Sequence, residues 1–215
     1  MITVKICGIK TLPDALAAIE AGADYLGFNF YPKSVRFIEK NACVEITSVL
    51  KREYPQIKLV GVFVNASVEE IKDILQTCYL DLAQLHGDEL PETLSALNGK
   101  AFKAFRGIPA SVDGFARSEP PAFLLDSSVK GVYGGSGVTA DWTAAAELAK
   151  KYPLLLAGGL TPENVAEAVC RVQPWGVDAA SGVEAAPGKK DAGKMMQFVR
   201  EVKRAEITNH HHEEL

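Results

Sequence analysis

The chain has 215 residues, with 27 acidic against 23 basic side chains and a formal net charge of −4. Hydrophobic residues make up 47% of it and charged residues 23%, which excludes intrinsic disorder and a disulfide-stapled miniprotein. The mildly acidic balance gives nucleic acid no electrostatic footprint, and runs such as PLLLA and AFLLD fall far short of the roughly 18 apolar residues a membrane span needs, so neither partner is expected.

Ile2 to Cys7 is a short β-branched run that ends at a glycine and predicts the first strand. Thr11, Pro13 and Asp14 then open a helix through LPDALAAIEAGA, which Gly22 stops. DYLGF (24–28) reads as a second strand. After a polar loop, residues 41–54 carry Val44, Ile46, Val49 and Leu50 at helical spacing. LVGVFV (59–64) is too continuously apolar for a sheet with one wet face and predicts a strand covered on both sides. Ser67 caps a helix through EEIKDIL, residues 81–85 make a strand, 90–97 a helix, and Lys103 to Phe105 lie in a fifth strand. A short helical stretch is expected at 112–116, the sixth strand at 122–125, the sixth helix at 140–150 and the seventh strand at 154–157. Thr161-Pro162-Glu163 starts another helix, Val177-Asp178 is a short eighth strand, and residues 194–204 close the chain as a helix.

Strands alternating with helices at this interval imply parallel βαβ units. About eight units with no spare segment predict an α/β fold of one domain, a closed (β/α)8 TIM barrel over residues 1–206. Periodicity by itself leaves an open doubly wound sheet as the alternative. The tail, 207–215, holds three adjacent histidines and is read as a native end or an appended tag outside the fold. Cys7, Cys43, Cys78 and Cys170 are widely spaced, with no C-x-x-C pair and no Cys/His cluster, so reduced thiols and no metal site are expected. The N-terminus lacks the long apolar core of a secretory signal, and a cytoplasmic location is expected. Cys43, Cys78 and Cys170 fall in helices and are read as packing.

In a barrel, chemistry gathers on the loops after the strand C-termini. Those positions hold Cys7-Gly8, Asn29 to Arg36, Asn65, Gln84-Leu85-His86-Gly87, Arg106-Gly107, Asp126-Ser127, Gly158-Gly159, and Asp178 with Ser181-Gly182. Polar and reactive groups recur there while the strands stay apolar, which is more than a core needs. Gly158-Gly159 and a single helical turn at Ser181-Gly182-Val183-Glu184 form the corner where barrels often hold phosphate on bare backbone N–H groups; the structural alternative is a tight strand-to-helix turn. GVYGGSG (131–137) lacks the Gly-Lys-Ser/Thr ending of a Walker loop and sits several residues past its strand, so it reads as a loop over the mouth or a plain connector. Cys7 and Asp126 form an acid/base candidate pair: a thiol titrates within reach of neutrality, and a carboxyl stays an acid at neutral pH only if burial raises it. Either residue taken alone also fits a structural role, a buried small side chain or a turn cap. Arg36 offers a forked grip on a carboxylate, and His86 is either a ligand contact or a loop-fixing hydrogen bonder.

Taken together, KICGI (5–9), GFNFYPKSVRFI (27–38), GVFVN (61–65), QLHGDE (84–89), LLDS (124–127), GGSG (134–137), LAGGLTPENV (156–165) and SGVE…PGKKD (181–191) resemble the phosphoribosylanthranilate isomerase family in order and spacing along nearly the whole chain. The resemblance implies an Amadori rearrangement of a phosphorylated aminosugar, a step of tryptophan biosynthesis that uses neither metal nor organic cofactor. It implies Asp126 as the general acid that opens the ribose ring and Cys7 as the general base that removes the C2′ proton. Arg36 matches an arginine for the anthranilate carboxylate, Gly158, Gly159, Ser181 and Gly182 match phosphate loops, and His86 and Asp178 match polar residues lining the pocket. A monomer or homodimer is expected.

Four positions depart from the family pattern. Val138 and Ala140 stand where a long polar residue and an aromatic are usual, Ala180 where a hydroxyl or amide is common, and Val35 where proline is frequent. Those changes bear on closure of the sixth loop, on one phosphate-side hydrogen bond and on the Arg36 loop. Related barrels fit less well: an indole-glycerol-phosphate synthase needs catalytic lysines at strand ends, and a ribulose-phosphate epimerase needs metal-binding histidines, whereas His86 is the barrel's lone histidine. A catalytically silent barrel that only binds a phosphorylated metabolite is the alternative from another class.

Overall fold

The computed structural model of the chain describes residues 1–126 and 142–213, with side chains to residue 207. Eight parallel strands, β1 (Thr3–Cys7), β2 (Tyr25–Asn29), β3 (Lys58–Phe63), β4 (Leu82–Leu85), β5 (Ala101–Arg106), β6 (Phe123–Asp126), β7 (Leu155–Ala157) and β8 (Gly176–Ala179), pair in chain order, and β8 returns to β1. The barrel therefore closes, as the strand–helix alternation predicts, and the open sheet is excluded. Around it lie α1 (Leu12–Ala21), α2 (Lys40–Glu53), α3 (Val68–Thr77), α4 (Pro91–Ala96), α5 (Trp142–Ala149), α6 (Val165–Val172) and α7 (Ala192–Glu213).

Local chemistry sets the helix ends. The Thr11 hydroxyl accepts from the Asp14 N–H and Pro13 sits in the first turn, while Gly22, at φ 102°, ends α1 in the left-handed region. Ser67 caps α3 in the same way through the Glu70 N–H. The expected helix at 112–116 is instead a turn in which the N–H groups of Phe115 and Ala116 both donate to the Val112 carbonyl. Gly114, at φ 73°, breaks helical geometry inside the segment. Two side chains of this turn pack on the core: Val112 is buried and Phe115 meets Phe105 of β5 edge-on at 5.4 Å. The helix expected from Thr161 begins at Val165, preceded by a turn in which the Thr161 N–H donates to Asn164 Oδ1. α7 runs past residue 204, through Glu213.

Strand periodicity separates two layers. Val4, Ile6, Leu26, Phe28, Phe123 and Leu125 point outward into the core shared with the helices, whereas Val60, Phe102, Ala104, Leu124, Leu155 and Ala157 fill the barrel interior. Tyr25 and Trp175, 6.0 Å apart edge to face, pack against that interior cluster from the strand N-termini. The same alternation turns Lys5, Cys7, Gln84, Asp126 and Asp178 inward, so the polar inward positions collect toward the C-terminal mouth.

Candidate active site

Cys7 ends β1 and Asp126 ends β6, so a thiol and a carboxyl project inward from the same end of the barrel. Cys7 is buried, and its register partner on β2 is Gly27. A Cβ on Gly27 would lie 2.7 Å from Cys7 Sγ, so the glycine makes room for the sulfur. Two residues earlier on the same face, Lys5 is fully buried and donates to Asp178 Oδ1 at 3.0 Å, across a direct β1–β8 register pair. Burial pushes the Cys7 thiol above its ordinary value, against the pull of the Lys5 ammonium, with Asp178 adding to the rise and Lys190 opposing it. Burial pulls Lys5 down, but Asp178 and Cys7 outweigh it and leave the ammonium above its ordinary value. Lys5 is thus charged throughout the neutral range.

His86 Nε2 lies 3.9 Å from Asp126 Oδ2. On its other side, His86 Nδ1 lies 3.4 Å from the Gln84 amide nitrogen, a contact in which the ring accepts when its proton is on Nε2, the nitrogen nearer Asp126. Burial lowers His86 below its ordinary value, partly countered by Asp126, so the ring is neutral at pH 7. The loop is pinned by the His86 N–H on the Phe63 carbonyl and by Arg106 Nη2 on the His86 carbonyl. The His86 side chain thus faces the carboxyl, while its backbone N–H and carbonyl fix the loop.

Arg36 comes from the loop after β2. Its Nε and Nη2 donate to the two oxygens of Glu184, each at 2.7 Å. Glu184 also accepts from Lys190 Nζ at 3.0 Å, and Lys190 reaches the Ala180 carbonyl. Both partners sit on a hairpin, β9 (Glu184–Ala186) and β10 (Lys189–Lys190), that follows β8. Burial alone would raise the Glu184 carboxyl, but Arg36 and Lys190 together hold it below its ordinary value. The fork expected to hold a ligand carboxylate is thus occupied along its Nε–Nη2 edge, and among the described residues nothing is bonded to Nη1. Sequence reasoning missed Glu184 and Lys190 as partners of Arg36, although both stand in the SGVE…PGKKD segment. Gly8, at φ 82°, lies under the Arg36 side chain, with a Cβ there 2.5 Å from Arg36 Cδ. Val35 is exposed, and its carbonyl accepts from Lys10 Nζ at 3.3 Å.

At the expected phosphate corner, Gly158 and Gly159 have φ of 100° and 66°. A Cβ on Gly159 would meet nothing within 4 Å, and neither glycine's N–H finds an acceptor among the described residues. Ser181 to Val183 form the expected single turn, of 3-10 type. A Cβ on Gly182 would collide with the Leu160 carbonyl, so this glycine seats the loop after β8 against the loop after β7. Ser127, the 131–137 loop, Val138 and Ala140 lie outside the described residues. Cys43 and Cys78 are buried as expected, but Cys170 is exposed on α6: it occupies a helix position that faces solvent, so its packing role is corrected. Among the described residues no group of three His, Cys, Asp or Glu side chains could hold a metal ion, and no helix is long and apolar enough to cross a membrane.

Comparison with known proteins adds an independent line. The family model for N-(5'phosphoribosyl)anthranilate (PRA) isomerase matches residues 4–201. The chain is 46% identical over 204 residues to an N-(5'-phosphoribosyl)anthranilate isomerase of Geotalea uraniireducens, covering 94% of this chain and 99% of that one. It is 48% identical over 205 residues to the Geotalea daltonii enzyme of the same name, covering 94% and 97%. Among solved structures, the phosphoribosyl anthranilate isomerase of Thermotoga maritima superposes with TM-score 0.81 at 38% identity, over 95% of this chain and 100% of that one. Another, solved in complex with reduced 1-(o-carboxyphenylamino)-1-deoxyribulose 5-phosphate, superposes with TM-score 0.77 at 36% identity and the same coverage.

Proposed function

The chain belongs to the N-(5'-phosphoribosyl)anthranilate isomerase family, and from that membership we propose that Cys7 and Asp126 are the base and the acid of its reaction. It is an isomerase of tryptophan biosynthesis, converting N-(5-phospho-β-D-ribosyl)anthranilate into 1-(2-carboxyphenylamino)-1-deoxy-D-ribulose 5-phosphate. The observation that carries the assignment of roles is the seating of a thiol and a carboxyl on the inward faces of β1 and β6, at one mouth that also holds the open glycine corner.

Asp126 in its acid form gives its proton to the furanose ring oxygen. The C1′–O bond breaks, and the anilino nitrogen lone pair forms the C1′=N bond of a Schiff base. Cys7 as thiolate then removes the C2′ proton; its electron pair forms C1′=C2′, and the iminium electrons return to nitrogen. The resulting enolamine takes a proton at C1′ and loses the hydroxyl proton at C2′, giving the ketone. Neutral His86, with Nε2–H toward Asp126, orients the carboxyl rather than competing as an acid. The Nη1–Nη2 edge of Arg36 takes the anthranilate carboxylate. Gly158, Gly159, Ser181 and Gly182 hold the phosphate on backbone N–H groups, and Asp178 borders the pocket through Lys5. We take residues 1–206 as the catalytic barrel, 207–215 as an accessory tail, and the enzyme as a cytoplasmic monomer or homodimer with a small phosphorylated substrate and no nucleic-acid or membrane partner.

The acid/base pair works while it holds one proton: a second proton quenches the base, and loss of the last removes the acid. Burial of Cys7 makes that last proton hard to lose. The alkaline fall of kcat/KM is therefore expected above the ordinary thiol value of 9.0. Following the loss of anthranilate-substrate fluorescence across pH checks this, and an alkaline fall that starts near neutrality would count against the assignment. Gly182→Ala is expected to push the two glycine loops apart against the Leu160 carbonyl. Losing one hydrogen bond to a charged phosphate costs about 1.5–3 kcal/mol, so KM should rise roughly 10–150-fold with kcat little changed. An unchanged KM would remove these loops from the phosphate site.

A further inference from the structure

We propose that the buried Lys5–Asp178 ion pair is a positioning device for the base, in which the ammonium of Lys5 stabilises the Cys7 thiolate and Asp178 sets how strongly it does so. The proposal rests on the reading of Cys7 as the base and adds two residues that act through it rather than on the substrate.

Geometry carries the argument. Lys5 and Cys7 are two residues apart on the inward face of β1, and both are buried. Lys5 has no exposed surface, and its side chain reaches Asp178 on the neighbouring strand at 3.0 Å. A lysine sealed inside a barrel has lost its hydration, and an ion pair of this kind seldom stabilises more than an apolar pair of the same volume would. Stability is therefore a weak reason for charge at this place. Its position directly below the thiol is a better one, because a fixed positive charge within reach of the sulfur favours the thiolate over the thiol. Without Asp178 the ammonium would pull at full strength. With it, part of the positive field is neutralised, and the thiol stays basic enough to take a carbon-bound proton once substrate arrives.

The other charges that face Cys7 are accounted for. β2 presents Gly27 and no charge. Lys190, from the hairpin after β8, acts on the sulfur in the same sense as Lys5 but is bound to Glu184. Arg36, from the loop after β2, has its own guanidinium affected by Cys7 and is also held by Glu184. Lys5 is the strongest of the groups favouring the thiolate, and Asp178 opposes it.

The two members of the pair should move Cys7 in opposite directions, which a merely structural pair would not do. Iodoacetamide labelling at about pH 8, below the ordinary thiol value, reports the thiolate fraction. Reading it by mass spectrometry on the Cys7 peptide keeps exposed Cys170 out of the signal. Lys5→Met is expected to slow labelling about tenfold or more, and Asp178→Asn, which keeps the shape and removes the charge, to speed it about tenfold. Turnover should follow in kcat for Lys5→Met, with KM unchanged. Cys43 and Cys78, buried in the helix layer, serve as internal controls, because a loosened fold would expose them as well. Labelling of Cys7 at the wild-type rate in both variants, or acceleration shared by Cys43 and Cys78, would overturn the proposal. Should Lys5→Met not fold, Asp178→Asn decides alone by the same two criteria. Labelling requires no turnover, so an active Cys7→Ala variant would remove the base assignment, while opposite labelling shifts would still show the charge effect on the sulfur.

Discussion

Cys7→Ala and Asp126→Asn are each expected to lower kcat by about 10²–10⁴-fold, the range over which a positioned acid or base contributes. The two losses should differ in kind. Asp126→Asn keeps the side chain's size and its neighbour His86 but has no proton to give the ring oxygen, so the substrate stays closed. Cys7→Ala leaves the acid in place, so the ring opens and the reaction stops at the Schiff base. Exchange of the C2′ hydrogen with solvent should vanish in both variants, whereas trapping of an opened imine by borohydride should succeed only with Cys7→Ala. KM should move little in either case, because the carboxylate and phosphate contacts assigned to Arg36 and the glycine loops are untouched. The Cys7 site tolerates a smaller side chain, since alanine removes the sulfur that Gly27 accommodates and adds no contact. Full turnover by both variants would end the acid/base assignment, whatever the fold.

Sequence pattern exposes some of this machinery and conceals the rest for physical reasons. The barrel was legible because fully covered strands such as LVGVFV alternate with capped helices, and each cap is a local signal: Thr11 with Asp14, Ser67 with Glu70. Where local signals weaken, the reading fails. Residues 112–116 have helical apolar spacing, but Gly114 takes a positive φ and the segment packs on the core as a turn. Cys170 sits on a helix, and helix membership does not say which face it occupies; solvent does. Cys7, Asp126 and the glycine corner stand at strand ends, where a parallel barrel must put its chemistry. Lys5–Asp178, Arg36–Glu184–Lys190 and Lys103–Glu89 are different. Their links join residues 6 to 173 positions apart, and nothing in a linear pattern says which buried charge finds which partner. Lys5 and Lys103 even stand inside strands, where alternation reads them as ordinary interruptions of an apolar run. Their meaning comes from the register of β8 against β1 and of β4 against β5.

Lys103→Met is expected to cost about 3–5 kcal/mol of stability, the penalty for leaving a buried partner charge uncompensated. Lys103 points outward from β5, away from the barrel interior, and its ammonium is enclosed by the Leu85 carbonyl at 3.2 Å, the Gly87 carbonyl at 2.6 Å and Glu89 Oε2 at 2.9 Å. Glu89 in turn accepts from the backbone N–H groups of Asn65 and Gly87, at 2.8 and 2.9 Å. The side chains of the pair are only 6% and 3% exposed, so solvent cannot replace the missing ammonium. For a chain of this size each kcal/mol shifts the melting midpoint by about 2–4 °C, which predicts a fall of roughly 6–20 °C. Adding Glu89→Gln should recover part of it, because the amide oxygen still accepts from Asn65 and Gly87 and no bare charge remains. The same cluster ties the loop after β3 to the loop after β4, the one that aims His86 at Asp126. Activity should therefore fall in Lys103→Met even well below its melting midpoint, and return with stability in the double variant. A single variant as stable as wild type in urea would mean that this charge cluster does not brace the mouth.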